Sequence, residues 1–227
     1  MKFPLSNKGP DNGIIKLFKT VNLHEAATFK TVEILDICVF ELQKAMGREV
    51  ADIELNYGDK QWKHYSSFKK FMEKETNYPI AAFMSFIRDG SCGSLIFNND
   101  KLNKTKQDNS TDLIDIIMVF PRAIITRGFL QNLLEKIFCV ESFDYGYVCF
   151  LPEKYDVIFE NKPGRGNTEA EIEKTKQLRD IKNGFIKDVY SINILSNKQI
   201  EVNKFREKTC EIYDIKNSGL KIVMCDI

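Results

Sequence analysis

Histidine and tryptophan are nearly missing from this chain, with two histidines and one tryptophan in 227 residues. Metal centres and acid–base catalysis at neutral pH draw on imidazole, which titrates there unperturbed and ligates metals when neutral. Neither His24 nor His64 has a second histidine three or four residues away, so no helix face offers a metal two imidazoles. A surplus of one charge sign is missing as well: 33 Lys and Arg stand against 32 Asp and Glu. Non-specific nucleic-acid binders carry a basic excess or a basic stripe. Here the short basic spot at residues 101–106 sits among Asn, Thr and Asp, as in a solvated loop. No apolar run approaches the ~18 residues that span a bilayer. The opening MKFPLSNKGPDNG is broken by polar residues before a signal-peptide core could form. The six cysteines, at positions 38, 92, 139, 149, 210 and 225, include no Cys-x-x-Cys pair. Cys38, Cys139, Cys149 and Cys225 lie in apolar segments, as buried free thiols do. A chain of this length needs no disulfide staple. These absences together point to the cytoplasm, with no membrane and no direct nucleic-acid partner.

What is present is an ordinary globular composition, 43% hydrophobic and 29% charged. The chain is organised around residues 112–151. DLIDIIMVF is almost continuously apolar, the composition of a strand covered on both faces. Leu130, Leu133, Leu134, Ile137 and Phe138 follow at i, i+3, i+4, i+7, i+8, one stripe of a helix. ESFDYGYVCFL then alternates Phe143, Tyr145, Tyr147 and Cys149 against Asp144, Gly146 and Val148, a returning strand.

The flanks are read on the same rules. Residues 1–24 hold one short apolar run, Ile14, Ile15, Leu17 and Phe18, fit for an edge strand or docking arm. Residues 25–46 are helical in period, with Gly47 as C-cap. Residues 51–57 form a short strand, and 62–72 a helix with rings at Trp62, Tyr65 and Phe68. Two strands follow at 80–87 and 94–97, then a polar connection over 98–111. Beyond the central unit lie a strand at 155–159, a charged loop region at 161–183 with a polar helix near 169–178, and a run at 185–195. A closing hairpin pairs 210–215 with 220–225 through Asn217-Ser218-Gly219. The expected fold class is α+β, a mixed or antiparallel sheet packed against two or three helices. Residues 1–227 form one domain, with 1–50 as a peripheral N-terminal helical lobe.

Candidate chemistry is sparse. Cys92 sits in the turn DGSCGS, where a thiolate could lie beside backbone N–H groups, but nothing ties His24 or His64 to it as a base. Pro163-Gly164-Arg165-Gly166-Asn167 lacks the Gly-Lys-Ser/Thr ending of a P-loop. Asp112 and Asp115 stand three apart on a strand and so point to opposite faces, which unmakes them as a metal pair. The aromatic rows are not interleaved with cations as in single-strand binders, and Glu141 and Asp144 flank Tyr145 instead. These rings serve either the core or, as an exposed Tyr/Asp patch, a protein interface. No metal and no cofactor is expected.

One segment carries a family likeness. IKDVYSINILS, residues 186–196, resembles the R-D-V-Y-P-x-N-x-L segment of bacterial immunity proteins of polymorphic toxin and type VI secretion systems. Asp188, Val189, Tyr190, Asn193 and Leu195 match, while Lys187 and Ser191 replace the usual Arg and Pro. The histidine expected after the leucine is absent, with Lys198-Gln199 in its place. The strand around Asp144-Tyr145-Gly146-Tyr147 and the tail from Cys210 are also similar to that family. The resemblance implies a cytoplasmic α+β protein without an active site, whose partner is a cognate toxin, a nuclease of restriction-endonuclease fold. Such a toxin has a phosphate-seeking surface, so acidic and aromatic groups would steer and anchor it. Asp144, Tyr145, Tyr147, Asp188, Tyr190 and Asn193 are the candidate toxin-binding residues. Asp188 and Asn193 have a structural alternative, bonding backbone groups of the neighbouring loop. The other readings are a small enzyme using Cys92 or a carboxylate cluster, and a plain protein-interaction domain.

Overall fold

The computed structural model describes residues 11–22, 25, 28–55, 59–74, 80–86, 93–99, 112–152, 180–181, 183–186, 190–205, 209–216 and 218–225. The expected strand at 155–159, the charged helix at 169–178, Cys92, His24 and Asp188 lie outside them.

The strands are β1 (Asp11–Val21), β2 (Asp52–Leu55), β3 (Lys60–Trp62), β4 (Ile80–Ser85), β5 (Ser94–Asn99), β6 (Asp112–Pro121), β7 (Tyr145–Pro152), β8 (Ile192–Ser196), β9 (Cys210–Asp214) and β10 (Leu220–Cys225). They form one ten-stranded sheet in the order β3-β2-β4-β5-β6-β1-β7-β8-β10-β9, antiparallel throughout. With the helices packed on it this is an α+β fold. The N-terminal run is neither an edge strand nor part of a peripheral lobe. It is β1, hydrogen-bonded to β6 on one side and β7 on the other. Apolar residues on both of its faces are the reason: Ile15 and Leu17 pack on one side of the sheet, Ile14 and Phe18 on the other.

Three helices cover one face: α1 (Thr31–Met46), α2 (Tyr65–Lys74) and α3 (Arg127–Val140). The α3 stripe Leu130, Leu133, Leu134, Ile137 and Phe138 is buried against Ile114, Ile116, Met118 and Phe120 of β6. Thr126 starts α3 by accepting a hydrogen bond from the Phe129 N–H at 3.2 Å. Gly47 ends α1 in the left-handed region at φ 63°, where a side chain would be strained. Trp62 closes β3 instead of opening α2, and its ring packs edge-on to Phe68. On the opposite face a short helix, α4 (Asn197–Val202), brings Ile200, with Ile181 and Phe205, over Phe18, Tyr145, Tyr147, Leu195 and Val223. Ser196 and Gln199 cap α4 reciprocally through side chain and backbone. The run at 185–195 leads into β8 (Ile192–Ser196).

The closing hairpin forms as β9 and β10, turning at Gly219 with φ 68°. A disulfide joins Cys210 and Cys225 within it, which corrects the expectation that Cys225 is a free thiol. The two cysteines are direct cross-strand partners with Cα atoms 4.3 Å apart, a proximity that follows from register. Of the remaining thiols expected inside, Cys38 is buried, Cys149 is half-buried and Cys139 is exposed. Among the described residues no helix is long and apolar enough to cross a membrane.

Candidate functional site

The strand alternation that sends Gly146 and Val148 toward the three helices sends Tyr145 and Tyr147 to the other face. There they are 2% and 5% exposed. Phe18 stacks on Tyr145 with centroids 5.7 Å apart, and Tyr190 stacks on Tyr147. Asn193 is fully buried, and its side chain holds the backbone of Tyr190 from both ends. Its Oδ1 accepts from the Tyr190 N–H at 3.1 Å, and its Nδ2 donates to the Tyr190 carbonyl at 2.6 Å. Asn193 thus takes the structural role that was its alternative. Tyr145, Tyr147 and Asn193 are interior residues and present no surface to a toxin in this conformation. Asp144 is half-buried and accepts from the N–H and hydroxyl of Thr20 at 2.6 and 2.7 Å, tying the start of β7 to the end of β1. Tyr190 is half-buried. The structure therefore brings Tyr145, Tyr147, Tyr190 and Asn193 together as packing, with Asp144 at the margin.

A concavity lies on the other face, where α1, α2 and α3 meet in an open cleft of about 670 Å³. Asp36, Glu41, Tyr65, Lys69 and Lys136 line it. Glu41, 3% exposed, accepts from Asn132 at 2.7 Å and from Lys136. Asp36 accepts from the Tyr65 hydroxyl at 3.0 Å and from Lys69. Burial first, and then the charge and hydrogen bond of Asp36, push the Tyr65 phenol far above its ordinary range. The hydrogen bond to Asp36 raises the Lys69 ammonium. Each carboxylate of these two sets is paired with a lysine, which ties the helices together.

Phe40 stands over this cleft with 61% of its surface exposed and the Lys136 ammonium 5.9 Å from its ring centroid. The sequence signal for Phe40 was there: it falls off the Leu35, Cys38, Leu42 stripe of α1, an aromatic ring on the polar side. Burial pushes the Cys38 thiol up to about 12, so it is an inert core residue. Among the described residues, no group of three or more His, Cys, Asp and Glu side chains could hold a metal ion.

No family model and no curated relative matches the chain. Among solved structures it is similar in fold to one described as the Pseudomonas aeruginosa T6SS protein PA0821, with a TM-score of 0.57 and 10% sequence identity. The match covers 96% of this chain and 67% of that one.

Proposed function

We propose that this chain is a non-enzymatic immunity protein of a type VI secretion system, which binds a cognate secreted toxin and neutralises it. The observation that carries the reading is the likeness of fold, along 96% of the chain, to a protein described as belonging to a T6SS. The Asp-Val-Tyr-Ser-Ile-Asn segment at residues 188–193 supports it independently. The chemistry of the cleft agrees with it: Glu41 and Asp36 hold cations, and the Cys38 thiol is suppressed. The toxin class inherited from the resemblance is a nuclease of restriction-endonuclease fold. The compartment that goes with a toxin of this class is the cytoplasm.

The test is co-expression with the product of the gene immediately upstream. A one-to-one complex on size exclusion, together with restored growth of cells making that product, is the expected result. Growth arrest that this chain does not relieve, with no complex recovered, would overturn the reading.

A further inference from the structure

The sheet has two outer strands, and they are finished differently. β3 is three residues long and begins with Lys60, whose ammonium lies 4.5 Å from the Phe71 ring centroid. A short strand with a lysine is the ordinary way to stop another chain from adding to an edge. β9 is five residues long and contains no Lys, Pro or Gly. Ile212 at its middle is 37% exposed. Tyr213 is braced from behind by the Arg127 guanidinium of α3, 3.8 Å from its ring centroid.

Hydrogen-bond phase shows which backbone groups of β9 face outward. The Ile215 N–H donates to the Leu220 carbonyl at 3.2 Å, whereas the Cys225 N–H turns away to the Ser191 carbonyl at 2.9 Å. Antiparallel alternation then directs the peptide groups of Glu211 and Tyr213 toward β10 and those of Cys210, Ile212 and Asp214 outward. Among the described residues no strand lies beyond them.

We propose that the outer edge of β9 is the docking site for an extended segment of a partner protein, which adds one more strand to the sheet. The segment carries an apolar residue flanked by Lys or Arg. The apolar residue meets Ile212, and the cations meet Glu211 and Asp214, both exposed on β9. Among the described residues the cation that Asp214 holds is Lys221 of β10, and its own side chain stays 81% exposed. Main-chain pairing supplies affinity in this mode and the alternate side chains supply selectivity. A second copy of this chain is the poorer occupant, since β9 contains no Lys or Arg to set against Glu211 and Asp214. The partner is the toxin of the preceding reading, on which this inference rests.

Ile212→Pro is the deciding variant. It removes an outward N–H without touching the β9–β10 ladder, the setting in which an edge strand accepts proline. In the co-expressed complex, Ile212→Pro is expected to weaken binding by about 30-fold, and Ile212→Thr, which keeps the N–H, by under about 3-fold. Glu211→Lys is expected to slow association and to flatten its salt dependence. A folded Ile212→Pro chain that binds like the unmodified one overturns the docking site and leaves the toxin reading standing. Failure of the unmodified chain to form a complex overturns both. Should Ile212→Pro not fold, amide exchange on the unmodified complex decides: slowed exchange at Cys210, Ile212 and Asp214 supports the site, and unchanged exchange there overturns it. A dimer of this chain that Ile212→Pro abolishes assigns the edge to a second copy instead, and also overturns the proposal.

Discussion

Tyr190 lies flat against Tyr147, with ring centroids 3.9 Å apart and planes 9° from parallel. Asn193 sets that contact by holding both backbone groups of Tyr190 from a fully buried position. Asn193→Ala removes both of these hydrogen bonds and loosens the hold on the ring. The expected loss is about 2–3 kcal/mol of unfolding free energy, measured by urea titration. A loss under about 0.5 kcal/mol would mean that the Tyr190 backbone is held some other way.

The buried pair in the helical cleft is expected to respond asymmetrically. Lys136→Met takes the cation from the Glu41 carboxylate, 4% exposed, and leaves it the hydrogen bond from Asn132, which should cost about 2–3 kcal/mol. Glu41→Leu frees Lys136, 44% exposed and able to reach water, and should cost under about 1 kcal/mol. Thermal melts of the two variants side by side check the ordering. A reversed order would show that the lysine, not the carboxylate, is the group that needs the pair.

Thiol labelling should separate Cys139 from Cys38. In the native protein Cys139 is exposed and Cys38 is buried, so peptide mapping after brief alkylation is expected to find the first modified and the second intact. Burial raises the Cys38 thiol from 9.0 to about 12. The fold therefore favours the neutral thiol. This contribution is fully present below pH 9 and is lost as pH rises toward 12. A Cys38→Ala chain should lose less stability between those two values than the unmodified one.

Two glycines are expected to give opposite signs. A Cβ on Gly146 would sit 2.7 Å from the Lys16 carbonyl oxygen and 2.8 Å from Leu17 Cδ2. Because β1 cannot recede without breaking its pairing, Gly146→Ala should destabilise by about 2 kcal/mol. A Cβ on Gly128, in the first turn of α3, would meet nothing within 4 Å. Gly128→Ala should stabilise by roughly 0.5–1 kcal/mol. Equal melting temperatures for the two variants would contradict the packing described for β7.

Elements whose signal is local were legible in the sequence. The α3 stripe, the Gly47 cap and the Gly219 hairpin each occupy one stretch of chain, and all three formed where periodicity and turn chemistry place them. What the sequence hid depends on pairing between distant segments. Ile14 to Phe18 reads as a short apolar run, and only β6 and β7 on its two flanks make it central. The same holds for Tyr145 and Tyr147. Their spacing correctly shows a shared face, but Ile200 and Phe205, far along the chain, decide that this face is covered. The Asp144 carboxylate was legible as polar and not as a clamp on Thr20, whose partnership spans the β1–β7 seam.

That seam bears on how the chain comes off the ribosome. The strands from β3 to β6 and those from β7 to β9 meet, as strands, only through β1. β1 is therefore the keystone, and both of its neighbours are made after it and after α1 and α2. Until they emerge, Ile14, Ile15, Leu17 and Phe18 have no sheet to join, which exposes apolar surface through much of synthesis and makes closure a late, non-local event.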